Sequence, residues 1–243
     1  MDANTYFGFW PKHEVDVSID CLRRTMDRHG VEKFVSLSLK GIFYDYEEGN
    51  QETLREAKKD ERLIPAATVD LRKYYGEGKV VRQCLEQGFK LIRLFPNLQG
   101  WPLNYAPFFR LLDEVAEAKM PLMITLIIQP SGTHCLGMIT DIARLTSAWR
   151  SPVIISSFDH FYYPEILSVL ETNSNIHMDS SLFNTPDSYQ LFASRGYAGR
   201  IVFGSNAPLY YFASASLGLD RADISEDQKK MIRSENLERL LRL

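Results

Sequence analysis

Residues 121–128 read PLMITLII, an apolar run that only Thr125 interrupts. A strand with one wet face alternates apolar and polar side chains, and this one does not. Both of its faces must be covered, as happens to parallel strands with helices packed on the sheet. FVSLSL (34–39) and SPVIISS (151–157) share this character. Working outward, eight strands are expected: Met1 to Tyr6, Lys33 to Leu39, Leu63 to Val69, Phe89 to Phe95, Pro121 to Ile127, Pro152 to Ser157, Asn175 to Ser180 and Arg200 to Ser205.

Amphipathic segments lie between them. VDVSIDCLRRTMDRHG places Val17, Cys21, Leu22 and Met26 on one side and stops at Gly30, a helix terminator. NQETLREAKKDER, KVVRQCLEQG, APFFRLLDEVAEAK, CLGMITDIARLTSAW, PEILSVLETN and SYQLFASRG read the same way. In ISEDQKKMIRSENLERLLRL, Ser225 and Gln228 have the spacing of a capping box that opens a helix running to the end. Eight strand–helix pairs predict an α/β fold, a single (β/α)8 TIM barrel over residues 1–243 with a C-terminal helix. An open doubly wound sheet is the alternative; it fits less well, because no glycine-rich phosphate loop follows the first strand.

Composition narrows the function. The 243 residues are 45% hydrophobic and 24% charged, enough for one sizeable core. The formal charge of −3, with no run of five like charges, does not describe a nucleic-acid surface. No apolar run approaches the ~20 residues of a membrane helix. The N-terminus has no basic segment followed by an apolar one, so no secretory signal is expected. Cys21, Cys84 and Cys135 are few, odd in number and far apart, which points to reduced thiols in a cytoplasmic protein.

The chain opens with DANTYFG (2–8), a strand running into a turn at Gly8. Alternation puts Asp2, Asn4 and Tyr6 on one face. This stretch resembles D-x-H-x-H-x-G, the first strand of the amidohydrolase-related TIM-barrel family, whose members include metal-dependent hydrolases and decarboxylases. DRHGVEKFVSLSL, RLIPAATVD and EQGFKLIRLFPN are similar to its second, third and fourth strands. RIVFGSNAP followed by ENLERLLRL resembles the closing F-G-S-D-x-P strand and the terminal N-x-x-x-L-x-x-L helix. The resemblance implies metal ligands at Asn4 and Tyr6, near Thr125 and Ser157, and at Asn206. None of the five is a histidine or carboxylate. Such neutral groups offset little of the cost of dehydrating a dication, so no metal and no other cofactor is expected.

These five side chains are still polar and are expected to line the C-terminal mouth of the barrel, as a small-molecule site would require. Arg93, in GFKLIRLFPN, is a candidate carboxylate anchor, with an ion pair at the strand end as the plain alternative. Lys90 has the opposite parity. His160, in SSFDHFYY, is a candidate general base or an ordinary loop histidine; its neighbour Asp159 points away from it. Asp179, in NIHMDSS, either orients a neighbour in the mouth or caps the strand end. The resembling family often has an aspartate there too. His177, two residues earlier, is expected to be a satisfied core histidine. Tyr162 and Tyr163 suit packing of a helix on the barrel. Gln129, His134 and Cys135 do not have the geometry of a thiol–imidazole nucleophile. His13 and His29 fall in a loop and at a helix end, while Trp10 and Trp101 suit a lid or a subunit contact. A site built from Asp159, His160 and Asp179 for some other metal is disfavoured.

Two functions follow. In one, the protein is a metal-independent hydrolase or lyase on a small carboxylated molecule. Arg93 binds the acid, His160 or Asp179 moves protons, and Asn4, Tyr6 and Asn206 hydrogen-bond the reacting carbonyl, with Thr125 and Ser157 beside them. In the other, it is a catalytically inactive relative kept for binding or assembly. A deep pocket joining Arg93 and His160 favours the first, and a mouth plugged by Tyr6, Phe158 and Trp10 the second. Homo-oligomers are a common default; no nucleic-acid or membrane partner is implied.

Overall fold

The computed structural model describes residues 1–12, 14–76, 79–126 and 137–243. Eight parallel strands form one sheet in sequence order: β1 (Asp2–Phe7), β2 (Phe34–Ser38), β3 (Leu63–Ala67), β4 (Leu91–Leu94), β5 (Leu122–Thr125), β6 (Val153–Ser156), β7 (Ile176–Asp179) and β8 (Ile201–Val202). The ring closes beyond the short β8. There Ala3 N donates to Phe203 O at 2.8 Å, Asn206 N to Asn4 O at 2.8 Å and Tyr6 N to Ala207 O at 3.0 Å. The expected (β/α)8 barrel is therefore the fold, and the open-sheet alternative is excluded.

The helices are α1 (Ile19–Arg28), α2 (Lys40–Phe43), α3 (Tyr46–Ala57), α4 (Val80–Glu86), α5 (Pro96–Gln99), α6 (Ala106–Ala118), α7 (Met138–Leu145), α8 (Tyr163–Thr172), α9 (Ser188–Ala193), α10 (Phe212–Asp220), α11 (Glu226–Lys230) and α12 (Asn236–Leu241). The capping box forms in full at α11, where Ser225 Oγ accepts from Gln228 N and Gln228 Oε1 from Ser225 N. The terminal helix is not uniform: a π-helical stretch, Met231–Glu235, joins α11 to α12. α10 was not foreseen; its sequence, FASASLGLD, is rich in small residues and has no clear apolar stripe. Val17, read as helical, lies ahead of the N-cap Ser18 of α1. Among the described residues no helix is long and apolar enough to cross a membrane.

Strand parity sorts the core. Val35, Ile64, Ala66, Leu91, Met123, Ile154 and Val202 fill the barrel interior, floored by Leu237, Leu240 and Leu241 of α12. The alternate residues Phe34, Leu63, Ile92, Leu122, Val153 and Ile155 pack outward on the helices. Arg93, Thr125, Ser156 and Asp179 carry the inward parity one step higher, which sets polar groups above the apolar plug. Trp10 and Trp101 do not form an exposed lid. They are only 2% and 4% exposed, with Trp10 edge-on to Phe43 and Trp101 tilted on Phe108.

Candidate functional site

The upper layer of the barrel is a closed hydrogen-bond network centred on Asn4. Arg93 reaches across from β4 and donates from Nη2 to Asn4 Oδ1 at 2.6 Å and to the Tyr6 hydroxyl, and from Nε to Thr125 Oγ1 at 2.9 Å. The guanidinium lies over the Tyr6 and Phe95 rings, 4.4 and 5.2 Å from their centroids. The other end of the Asn4 amide faces acceptors: Asp179 Oδ2 at 2.6 Å, Ser157 Oγ at 3.0 Å, and Ser156 Oγ and Ser181 Oγ at 3.1 Å. A guanidinium has only donors and a carboxylate only acceptors, so the amide is oriented with its oxygen to Arg93 and its nitrogen to Asp179. Asn4 thus spaces a buried cation from a buried anion.

Asp179 ends β7 and is saturated. Besides Asn4 it accepts from Ser156 Oγ at 3.0 Å, Ser157 N at 2.9 Å and Ser181 Oγ at 3.0 Å. Its close approach to the segment after β8 requires Gly204, where a Cβ would lie 2.8 Å from Asp179 Oδ2. Asp179 thus holds its neighbours in place and also takes a strand-end hydrogen bond from Ser157 N, so both expected readings describe its contacts. Ser157 and Asn206, which close the ring on that side, both have left-handed backbones (φ 55° and 58°). Non-glycine residues held there cluster at functional sites. Ser157 Oγ donates to Asn206 Oδ1 at 3.1 Å.

Two donors of this layer have no acceptor among the described residues: Arg93 Nη1 and Asn206 Nδ2, both fully buried. Among the described residues Arg93 forms no strand-end ion pair; its direct partners there are an amide, a phenol and a hydroxyl. Burial pushes the guanidinium down from its ordinary value, opposed by Tyr6, Asp179 and Asp2, and pushes the Tyr6 phenol up to about 12. Arginine stays protonated under such shifts.

Below the network, Asp2 ties β1 to the loop after β8, accepting from Asn4 N at 3.0 Å, Ser205 N at 3.1 Å and Ser205 Oγ. Burial outweighs these bonds and pushes its carboxyl up to about 6. Ser156, Ser181 and Ser205 are members that sequence reasoning missed. The doublets Ser156–Ser157 and Ser180–Ser181, each following an apolar strand, were the available signal.

Seven of the eight candidate residues thus meet: Asn4, Tyr6, Arg93, Thr125, Ser157, Asp179 and Asn206. His160 is the exception. It is exposed in a 3-10 turn (His160–Tyr162) after β6, its ring against Phe161, with Asp159 capping the turn through Phe161 N. Tyr162 and Tyr163 are buried in packing, Tyr163 against Phe158, Phe183 and Phe192. His177 is buried but not satisfied: its Nδ1 has no partner among the described residues, and burial, with Arg200 and Arg239 near, pushes it down to about 3. His29 stacks on Phe212. His13, Gln129, His134 and Cys135 lie outside the described residues.

A cavity of about 670 Å³ opens beside the network, between the loop after β7 and α10. Ser181, Phe183, Tyr189, Tyr210, Arg221 and Asp159 line it. Ser181 belongs to both, facing the cavity and bonding to Asp179 and Asn4. The volume is in the usual range for small-molecule sites.

The donor chemistry does not fit a divalent metal. The five positions carried over from the family present an amide, a phenol, two hydroxyls and a second amide. Three of these groups already accept from a guanidinium, and among the described residues no three His, Cys, Asp or Glu side chains converge.

Comparison with known proteins agrees with the fold. No curated protein sequence matches the chain. Among solved structures, a probable 2-pyrone-4,6-dicarboxylic acid hydrolase from Acinetobacter baumannii, with citric acid bound, superposes with a TM-score of 0.74 at 14% identity, covering 100% of this chain and 98% of that one. A 2,6-dihydroxybenzoate decarboxylase from Rhizobium gives 0.76 at 15% identity, with 99% and 98% covered. A 5-carboxyvanillate decarboxylase from Novosphingobium aromaticivorans, a D314N mutant with bound manganese, gives 0.72 at 16% identity, with 100% and 97% covered. The amidohydrolase family model matches residues 46–243, most of the chain. The chain belongs to the amidohydrolase family.

Proposed function

We propose that the protein is a metal-independent hydrolase or lyase that takes a small carboxylated molecule at the C-terminal end of its barrel. The observation that carries this reading is a pair of buried donors without acceptors among the described residues, Arg93 Nη1 and Asn206 Nδ2. A buried N–H is normally paired, and a missing acceptor beside a guanidinium matches a carboxylate oxygen. The cavity at Ser181 supplies an approach, with aromatic walls and Arg221 at its edge. Arg93 and Asn206 bind the acid. Asn4 and Asp179 hold Arg93 and Ser157 in place, with Tyr6 and Thr125 fixing the guanidinium. Of the two candidates for proton transfer, His160 is turned away from the layer and Asp179 lies in it beside Ser157 and Ser181, so the role is assigned to Asp179. We place this activity in the cytoplasm, on a small molecule rather than a nucleic acid or membrane.

A second reading is favoured by one observation: Tyr6, Phe158 and Trp10 are each no more than 2% exposed, as expected of a plugged mouth. In that case the protein binds or assembles without catalysis. A panel of small carboxylated esters and lactones separates the two, run beside calorimetric titration with acetate and benzoate. Carboxylate binding lost in Arg93→Ala, with turnover lost in Asp179→Asn, is the expected result. Binding without turnover selects the second reading. Turnover that survives in both variants refutes the assigned roles.

A further inference from the structure

We propose that the Arg93 guanidinium is the resident cation of this barrel, standing on Asn4, Tyr6 and Thr125 where the family seats its metal and closing the site to divalent ions. The proposal rests on reading the mouth as metal-free but reaches further, because it names what replaced the metal. Asn4, Tyr6 and Thr125 are three of the five positions that the resemblance assigns to ligands, and all three accept from Arg93. A metal needs lone pairs, and on this side of the site they are committed to N–H groups. The guanidinium plane is fixed by the Tyr6 and Phe95 rings. Its charge is balanced at one remove, through the Asn4 amide to Asp179.

The sign of the remaining groups points the same way. Within this layer, among the described residues, the buried groups still open to a ligand are N–H donors, Arg93 Nη1 and Asn206 Nδ2. Donors repel a dication and attract an oxyanion. A fixed cation also cannot dissociate or be stripped by a chelator. The barrel retains positive charge at its reacting end and no longer depends on an ion from solution.

The test restores a ligand set with and without the guanidinium. One variant carries Asn4→His, Tyr6→His and Asn206→Asp; a second adds Arg93→Met. Manganous ion is titrated into each by equilibrium dialysis, with folding followed by circular dichroism. The four-substitution variant should bind at least a hundredfold more tightly than the three-substitution one. Affinities within threefold of each other overturn the proposal. So does a folded four-substitution variant that binds nothing, since Arg93 is then not the barrier. The wild-type protein gives an independent check should these variants not fold. The Arg93 Nε–H resonance, identified by its loss in Arg93→Lys, should keep its line width when manganous ion is added to millimolar levels. Selective broadening would put the ion beside the guanidinium and overturn the proposal. Dication exclusion can hold while carboxylate binding fails, or the reverse, so this outcome and that of the ligand panel are separable.

Discussion

Replacing Asp2 with Asn should remove a destabilising term that grows as pH rises from 4 to 6. The carboxyl is fully buried at the start of β1 and accepts three hydrogen bonds from Asn4 and Ser205. Burial wins over those bonds and pushes it from an ordinary 3.8 up to about 6. Between these values the native chain holds a proton that the unfolded chain has released. Stability contributed by that proton is present below about 4, falls as pH rises and is gone above about 6. A gap of roughly two pH units, at 1.36 kcal/mol each, amounts to about 3 kcal/mol. His177 acts in the opposite sense. Its imidazole is pushed from 6.5 down to about 3, so the unfolded chain binds the extra proton and stability rises with pH over that range. The two slopes oppose between pH 4 and 6, and the wild-type profile hides both. The informative quantity is the difference between wild type and Asp2→Asn in urea unfolding at steps from pH 4 to 6.5. Wild-type stability relative to the variant should drop by about 2 kcal/mol across this range. A constant difference would refute the claim that burial, and not hydrogen bonding, controls this carboxyl.

Two predictions concern the scaffold. A Cβ at Gly49 would stand 2.2 Å from Gly41 N and 2.3 Å from Gly41 Cα, backbone against backbone between α2 and α3. Gly49→Ala should cost more than about 3 kcal/mol in urea unfolding, and a loss below about 1 kcal/mol would contradict the packing. Asn236, buried at the start of α12, donates to Ala198 O at 2.9 Å and Ile201 O at 2.7 Å and so ties the terminal helix to β8. Asn236→Ala strands two buried carbonyls and should cost about 2–4 kcal/mol; an unchanged urea midpoint would show that the tie is not needed.

The barrel was legible because parallel strands covered on both faces leave near-continuous apolar runs, and PLMITLII, FVSLSL and SPVIISS are such runs. α10 was not, since FASASLGLD buries little and its small residues give no period. Inward parity placed Asn4, Arg93 and Asp179 in one layer, because alternation is a property of the strand itself. His160 illustrates the limit. It follows β6 by a few residues, but the chain leaves strand geometry at Ser157, with φ 55°, and turns the histidine outward. The only local signal in SSFDHFYY is Asp159, which caps the turn, and no glycine marks it. Trp10 and Trp101 were misjudged for a related reason: an aromatic in a loop reads as exposed until the loop is folded over it. That Arg93 Nη1 has no partner among the described residues was also out of reach, since hydrogen-bond satisfaction belongs to the assembled layer.

The proposed metal-free mouth turns on a positive charge that is part of the chain, Arg93, set on neutral side chains at positions that the family resemblance assigns to metal ligands. The most direct measurement is the metal content of the native protein after dialysis against excess zinc or manganese and removal of free ion. Plasma mass spectrometry should find far less than one ion per chain. One tightly held ion per chain, released in Asn4→Ala or Asn206→Ala, would contradict the account.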